Sequence, residues 1–209
     1  MKTEVKICGI TRLEDALFAI GQGADYLGFV LTEKSKRFLP LCQLAQFAHL
    51  PVKKVGVFVD ANLDFIRQAV KIGHLDIVQL HGNENADFAR NIDFAKVWKA
   101  TYDNDFPAER LICDAPQGGS GCPGNHAEAA KLAKIRPIML AGGINPENAA
   151  ELIAQIKPAG IDIASGVEKS FGIKDHSKLK QLFERIKNEH SLWKIRRTIY
   201  PRNTHADPA

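Results

Sequence analysis

Val5-Lys6-Ile7-Cys8-Gly9-Ile10-Thr11-Arg12-Leu13-Glu14 decides how the rest of the chain is read. A short run ending in Cys8 meets a glycine. Thr11-Arg12-Leu13-Glu14 then has the spacing of a capping box, and Leu13, Ala16, Leu17 and Ile20 follow at helical period. That order predicts a strand, a turn and a helix. The same unit returns along the chain. Its further apolar runs are Tyr26–Leu31, Lys54–Val59, Ile77–Leu80, Ala95–Ala100, Arg110–Asp114, Pro137–Ala141 and Ile161–Ala164. Nearly every residue in them is apolar, as expected of parallel strands covered on both faces. Most start about two dozen residues after the previous one, enough for a strand, a loop and a helix of about three turns.

Helix signals fill most intervals. Asn62 opens one through Phe65, Ile66, Ala69 and Val70 that stops near Gly73. Asn145-Pro146-Glu147 reads as an N-cap with proline at the first helical position. Asp175 or Ser177 opens the last, carrying Leu179, Leu182, Phe183 and Ile186. Eight such repeats in 209 residues predict an α/β fold, the (β/α)8 or TIM barrel, with a doubly wound sheet as the structural rival. One interval breaks the pattern. Thr101 to Glu109 is too short for a normal crossover and is rich in turn formers, so helix five should be reduced or missing. Residues 1–190 are read as one catalytic barrel. Residues 191–209 are read as a C-terminal tail, either frayed or docked through Trp193, Ile195, Ile199 and Tyr200.

Composition narrows the function classes. Hydrophobic residues make up 45% and charged ones 25%, an ordinary globular balance. The formal charge of +4 is small and dispersed, so nucleic acid is not expected as a partner. No apolar run approaches the roughly 20 residues of a membrane helix, and no membrane partner is expected. The N-terminal residues do not resemble an export signal, and Cys8, Cys42, Cys113 and Cys122 lack zinc-like spacing. A reduced, cytoplasmic chain is the expectation.

In a (β/α)8 barrel, chemistry sits at the C-terminal ends of the strands. Lys6 and Cys8 share one side of the first strand, and a nearby ammonium lowers a thiol's pKa. The alternative is an inert buried cysteine. Asp114 closes the sixth run ahead of a Pro/Gly-rich loop and is a candidate acid or base, or a loop cap. Alternation turns Cys113 away from Asp114, so Cys113 is expected to be structural. Gly142-Gly143 and Ser165-Gly166 follow runs seven and eight, where this fold often holds phosphate. Arg37, in a charged loop after run two, is a candidate substrate contact. His81, after run four, is either a general base or a structural histidine. No His/Asp/Glu cluster is spaced for a metal, and no dinucleotide fingerprint follows the first run.

These segments together resemble a known family. They are Val5–Thr11, Gly23–Val30, Ser35-Lys36-Arg37, Val55–Val59, Val78-Gln79-Leu80-His81-Gly82, Gly142–Asn148, Ser165-Gly166-Val167-Glu168, Gly172 and Lys174-Asp175. Across residues 4 to 188, in order, they are similar to phosphoribosylanthranilate isomerases of tryptophan biosynthesis. The resemblance implies an Amadori rearrangement by general acid–base catalysis on a small phosphorylated substrate, with Cys8 as base and Asp114 as acid. It also implies substrate contacts from Arg37, Lys6 and His81 and phosphate contacts from Gly142, Gly143, Ser165 and Gly166. No metal or organic cofactor is implied, and the chain could be a monomer or a homodimer. Lys6 would hold Cys8 as a thiolate. The loop from Gly119 to His126 departs from the family, lacking its lysine or threonine and its aromatic pair. Two other classes remain open at this point. One is a different barrel enzyme on a phosphorylated sugar, such as indole-glycerol-phosphate synthase or the histidine-pathway aminosugar isomerase. The other is a non-catalytic phosphate-binding module.

Overall fold

A computed structural model describes residues 3–114 and 124–199. Eight parallel strands close into a barrel in sequence order: β1 (Glu4–Cys8), β2 (Tyr26–Val30), β3 (Lys53–Phe58), β4 (Ile77–Leu80), β5 (Lys96–Ala100), β6 (Arg110–Cys113), β7 (Ile138–Leu140) and β8 (Gly160–Ile163). β1 pairs with both β2 and β8, which excludes the open doubly wound sheet. The helices are α1 (Leu13–Gln22), α2 (Leu41–Leu44), α3 (Leu63–Gly73), α4 (Ala86–Arg90), α5 (His126–Leu132), α6 (Ala149–Ile156) and α7 (His176–Ile199). A hairpin, β9 (Glu168–Ser170) and β10 (Ile173–Lys174), follows β8. Among the described residues no helix is long and apolar enough to cross a membrane.

Strand alternation sorts the side chains into two cores. Ile7, Leu27, Phe29, Leu80, Leu111, Cys113 and Ile163 join the helices' Ala16, Ile66, Ala69, Leu152 and Leu179 in the outer layer. Tyr26, Val55, Ile77, Trp98, Ile112 and Met139 fill the barrel's interior, with Cys8, Val30 and Val57 in a separate cluster at its upper end. Cys113 is therefore structural, its thiol pushed up to about 12, mainly by burial.

No helix lies between β5 and β6, as the sequence predicts. Phe106 is buried instead, and the Arg136 guanidinium donates to the carbonyls of Asn104, Phe106 and Ala108. One arginine thus satisfies the loop's acceptors that a helix would have satisfied internally. Beneath it Lys99 pairs with Glu84 at 2.9 Å, both buried on the outer face.

Local starts and ends differ from the sequence reading in three places. Thr11 does not cap α1. Its hydroxyl donates to the Gly172 carbonyl at 2.6 Å, and Arg12 occupies the N-cap without a side-chain bond. A partner distant in sequence has replaced the local one. α6 begins later than expected, at Ala149. Asn145 Oδ1 caps a preceding turn by accepting from Glu147 and Asn148 N–H. The last helix, capped by Asp175, runs on to Ile199 and so takes in the first part of the expected tail. Residues 200–209 lie outside the described residues.

Candidate active site

The upper end of the barrel opens into a cavity of about 640 Å³. Cys8, Arg37, His81, Asp114, Gly142, Gly143 and Ser165 line it, with Gln79, Asp162 and Phe171. β1 ends with Cys8 facing inward, and β6 leads directly into Asp114. The thiol and the carboxyl therefore open into one space from separate strands.

Cys8 needs room beside it, and Gly28 provides it. A β-carbon at Gly28 would lie 2.7 Å from the Cys8 sulfur and 3.0 Å from Lys6 Cε. Lys6 is fully buried under the cavity and does not line it, so the structure gives it no surface for a substrate. Its Nζ donates to Asp162 Oδ2 at 2.7 Å. Burial alone would lower the Lys6 pKa, but Asp162 and the Cys8 thiolate together raise it. Burial pushes the Cys8 thiol above its ordinary value. Lys6 opposes that push and Asp162 adds to it. Lys6 thus favours the thiolate, as the sequence leads one to expect, while burial and Asp162 oppose it.

Asp162 is the residue that sequence reasoning missed. It sits in β8 opposite Lys6 in the register, and its Oδ1 is buried without a hydrogen-bond partner among the described residues. Gln79 was missed as well. Its Nε2 lies 3.1 Å from His81 Nδ1. With that amide donating, the imidazole proton sits on Nε2, which is 3.5 Å from Asp114 Oδ2. Burial holds His81 below its ordinary pKa, against the pull of Asp114 and Asp162. A neutral His81 thus stands as a donor beside Asp114.

Arg37 reaches the rim from the loop after β2. Gly9, at φ +73°, lets it pass, since a β-carbon there would meet Arg37 Cδ at 2.6 Å. Its Nε and Nη2 bind both Glu168 oxygens at 2.8 and 2.7 Å, and Glu168 also accepts from Lys174. Burial acts to raise the Glu168 pKa, but Arg37 and Lys174 hold it below the usual carboxylate range.

Gly142 and Gly143 both take positive φ, and their N–H groups donate to no backbone acceptor among the described residues. Ser165 opens a short 3-10 turn on the facing loop. Gly166 does not line the cavity. A β-carbon there would sit 1.9 Å from the Ile144 carbonyl oxygen, so this glycine brings the two loops into backbone contact. Among the described residues no three His, Cys, Asp or Glu side chains converge as metal ligands. The divergent loop beyond Asp114 lies, for residues 115–123, outside the described residues.

A family model described as N-(5'phosphoribosyl)anthranilate (PRA) isomerase matches residues 5–185. The N-(5'-phosphoribosyl)anthranilate isomerase of Geotalea uraniireducens (strain Rf4) is 41% identical, covering 88% of this chain and 98% of its own. The crystal structure of phosphoribosyl anthranilate isomerase from Thermus thermophilus is 40% identical with a TM-score of 0.84, over 89% of this chain and 99% of that one. Another such isomerase was solved in complex with reduced 1-(o-carboxyphenylamino)-1-deoxyribulose 5-phosphate. It is 33% identical with a TM-score of 0.79, over the same shares of 89% and 99%. A site built from an inward thiol, a carboxyl across the mouth and two facing glycine turns thus occurs on a chain that belongs to the N-(5'-phosphoribosyl)anthranilate isomerase family.

Proposed function

We propose that this chain catalyses the Amadori rearrangement of N-(5-phosphoribosyl)anthranilate to 1-(2-carboxyphenylamino)-1-deoxyribulose 5-phosphate, a step of tryptophan biosynthesis, in the cytoplasm. The observation that carries the reading is the meeting of Cys8 and Asp114 in one cavity, with Arg37 at its rim and the two glycine turns facing each other. Asp114 gives a proton to the furanose ring oxygen. The C1–O bond breaks and a Schiff base forms. The Cys8 thiolate takes the C2' proton, and the electron pair released makes the enolamine, which tautomerises to the ketone. Neutral His81 donates towards Asp114 and steadies the carboxylate left after proton transfer.

The substrate's two anionic ends have separate places. Gly142, Gly143 and Ser165 offer backbone N–H groups and a hydroxyl to the phosphate. Arg37 offers Nη1, the donor not used on Glu168, to the anthranilate carboxylate. A monomer and a homodimer are both compatible with this arrangement. The test is direct. The purified chain, with a chelator present, is given freshly made phosphoribosylanthranilate and the change in anthranilate fluorescence is followed. Conversion is expected, with growth restored to a tryptophan auxotroph that lacks the isomerase. No conversion by folded protein would overturn the reading.

A further inference from the structure

The hairpin after β8 places an aromatic side chain over the cavity that the mechanism above does not use. Phe171 is 55% exposed and lines the cavity. A solitary exposed phenylalanine needs no explanation. Here, however, its position is fixed from two sides. Next to it, Gly172 holds the tip of the turn at φ +76°. The Gly172 carbonyl accepts from the Thr11 hydroxyl at 2.6 Å, and its N–H donates to Glu168 at 3.3 Å. The turn is thereby tied both to the loop after β1 and to the carboxylate that holds Arg37. Arg37 itself lies 5.1 Å from the Phe171 ring centroid, and the Lys36 ammonium lies 4.5 Å from it.

An anchored aromatic face beside two cations suits a ligand that is itself an aromatic ring carrying a carboxylate. We infer that Phe171 determines specificity for the aromatic end of the substrate: the ring of a carboxyphenylamino group packs on Phe171 while its ortho carboxylate is taken by Arg37 and Lys36. The geometry supports this assignment in two ways. The guanidinium that would receive the carboxylate already sits against the Phe171 ring, and a ring bonded to that carboxylate has to lie within the same few ångströms. Offset or edge contact between two rings adds to the area buried, so the phenyl group counts in affinity without carrying the whole of it. The inference rests on the reading of the substrate given above.

The experiment compares two ligands on three proteins. The ligands are the reduced product analogue, which bears the carboxyphenylamino group, and ribulose 5-phosphate, which lacks it. The proteins are the wild type, Phe171→Ala and Phe171→Trp. Phe171→Ala should weaken the ringed ligand by about tenfold. It should leave ribulose 5-phosphate within about twofold, and Phe171→Trp should recover most of the loss. In turnover the same change should raise KM with kcat nearly unaltered, the sign of binding shared by ground and transition states. Equal affinity of wild type and Phe171→Ala for the ringed ligand would overturn the inference. So would an equal loss for both ligands, because the side chain would then act only on the loop. Failure of the wild type to bind the ringed ligand at all would instead overturn the substrate reading.

Discussion

Two ion pairs lie inside the same barrel, a half-buried one near the floor and a buried one beneath the mouth, and their partners are arranged differently. At the floor, Glu4 accepts from Tyr26 OH at 2.8 Å through one oxygen and from Arg110 through the other. The Arg110 guanidinium stands over the Tyr26 and Trp98 rings at 5.8 and 5.3 Å. Burial works to raise the Glu4 pKa, but Arg110 and Tyr26 hold it below the usual range. Both carboxylate oxygens are satisfied. At the mouth, Lys6 pairs with one oxygen of Asp162 while the other has no partner among the described residues, and Cys8 sits above them at the cavity. A pair that meets its own hydrogen-bonding needs serves the fold. A pair left incomplete beneath a cavity keeps charge available to a neighbour, at a cost in stability.

The comparison predicts opposite consequences for changes at the two ends. The largest effect belongs to the mouth. Asp114→Asn should lower kcat by about a thousandfold, within the range for loss of a general acid. Its melting temperature should stay within a few degrees. A variant as active as wild type would remove the acid from the mouth. The floor should respond in the reverse sense. Arg110→Met should cost about 1 kcal/mol through the loss of Glu4's charged partner. That is about 2–4 °C in a chain of this size. Its kcat below the melting range should stay within about twofold. A large loss of kcat without loss of stability would show the two ends to be coupled.

The smallest predicted effect is also the most specific. Asp162→Asn removes the carboxylate that opposes Lys6, so the Cys8 thiol should ionise at lower pH. Lys6→Met should move it upward instead. The readout is the pH dependence of alkylation at the Cys8 peptide, resolved by mass spectrometry because Cys42 is exposed and will also react. Identical profiles in all three proteins would mean that the upper pair does not act on the thiol.

Much of this architecture was legible in the residues. Runs covered on both faces, about two dozen residues apart, specify parallel strands with crossovers, and the turn formers around Asn104 and Pro107 specify where a crossover is lost. Cys8, Asp114 and His81 were legible as polar residues at strand ends. Asp162 was not, because it lies within an apolar run. Its meaning depends on closure of the barrel, which sets β8 beside β1 and Asp162 opposite Lys6. Without that neighbour, Lys6 reads as the one charge acting on the thiol, and the opposing carboxylate goes unseen. Thr11 misled for a related reason. Its local spacing matches a cap, while its hydroxyl is taken by Gly172 from the far end of the chain. Pairing set by spacing along the chain was readable, and pairing set by closure was not.

The central claim is that the buried sulfur at the end of β1, in its thiolate form, is the base for a proton on the substrate's sugar. The measurement that meets it most directly is kcat of Cys8→Ala on phosphoribosylanthranilate, taken together with affinity for the reduced product analogue. The account predicts a fall in kcat of at least about a hundredfold with affinity within about threefold of wild type. A Cys8→Ala protein that turns over near the wild-type rate would contradict it.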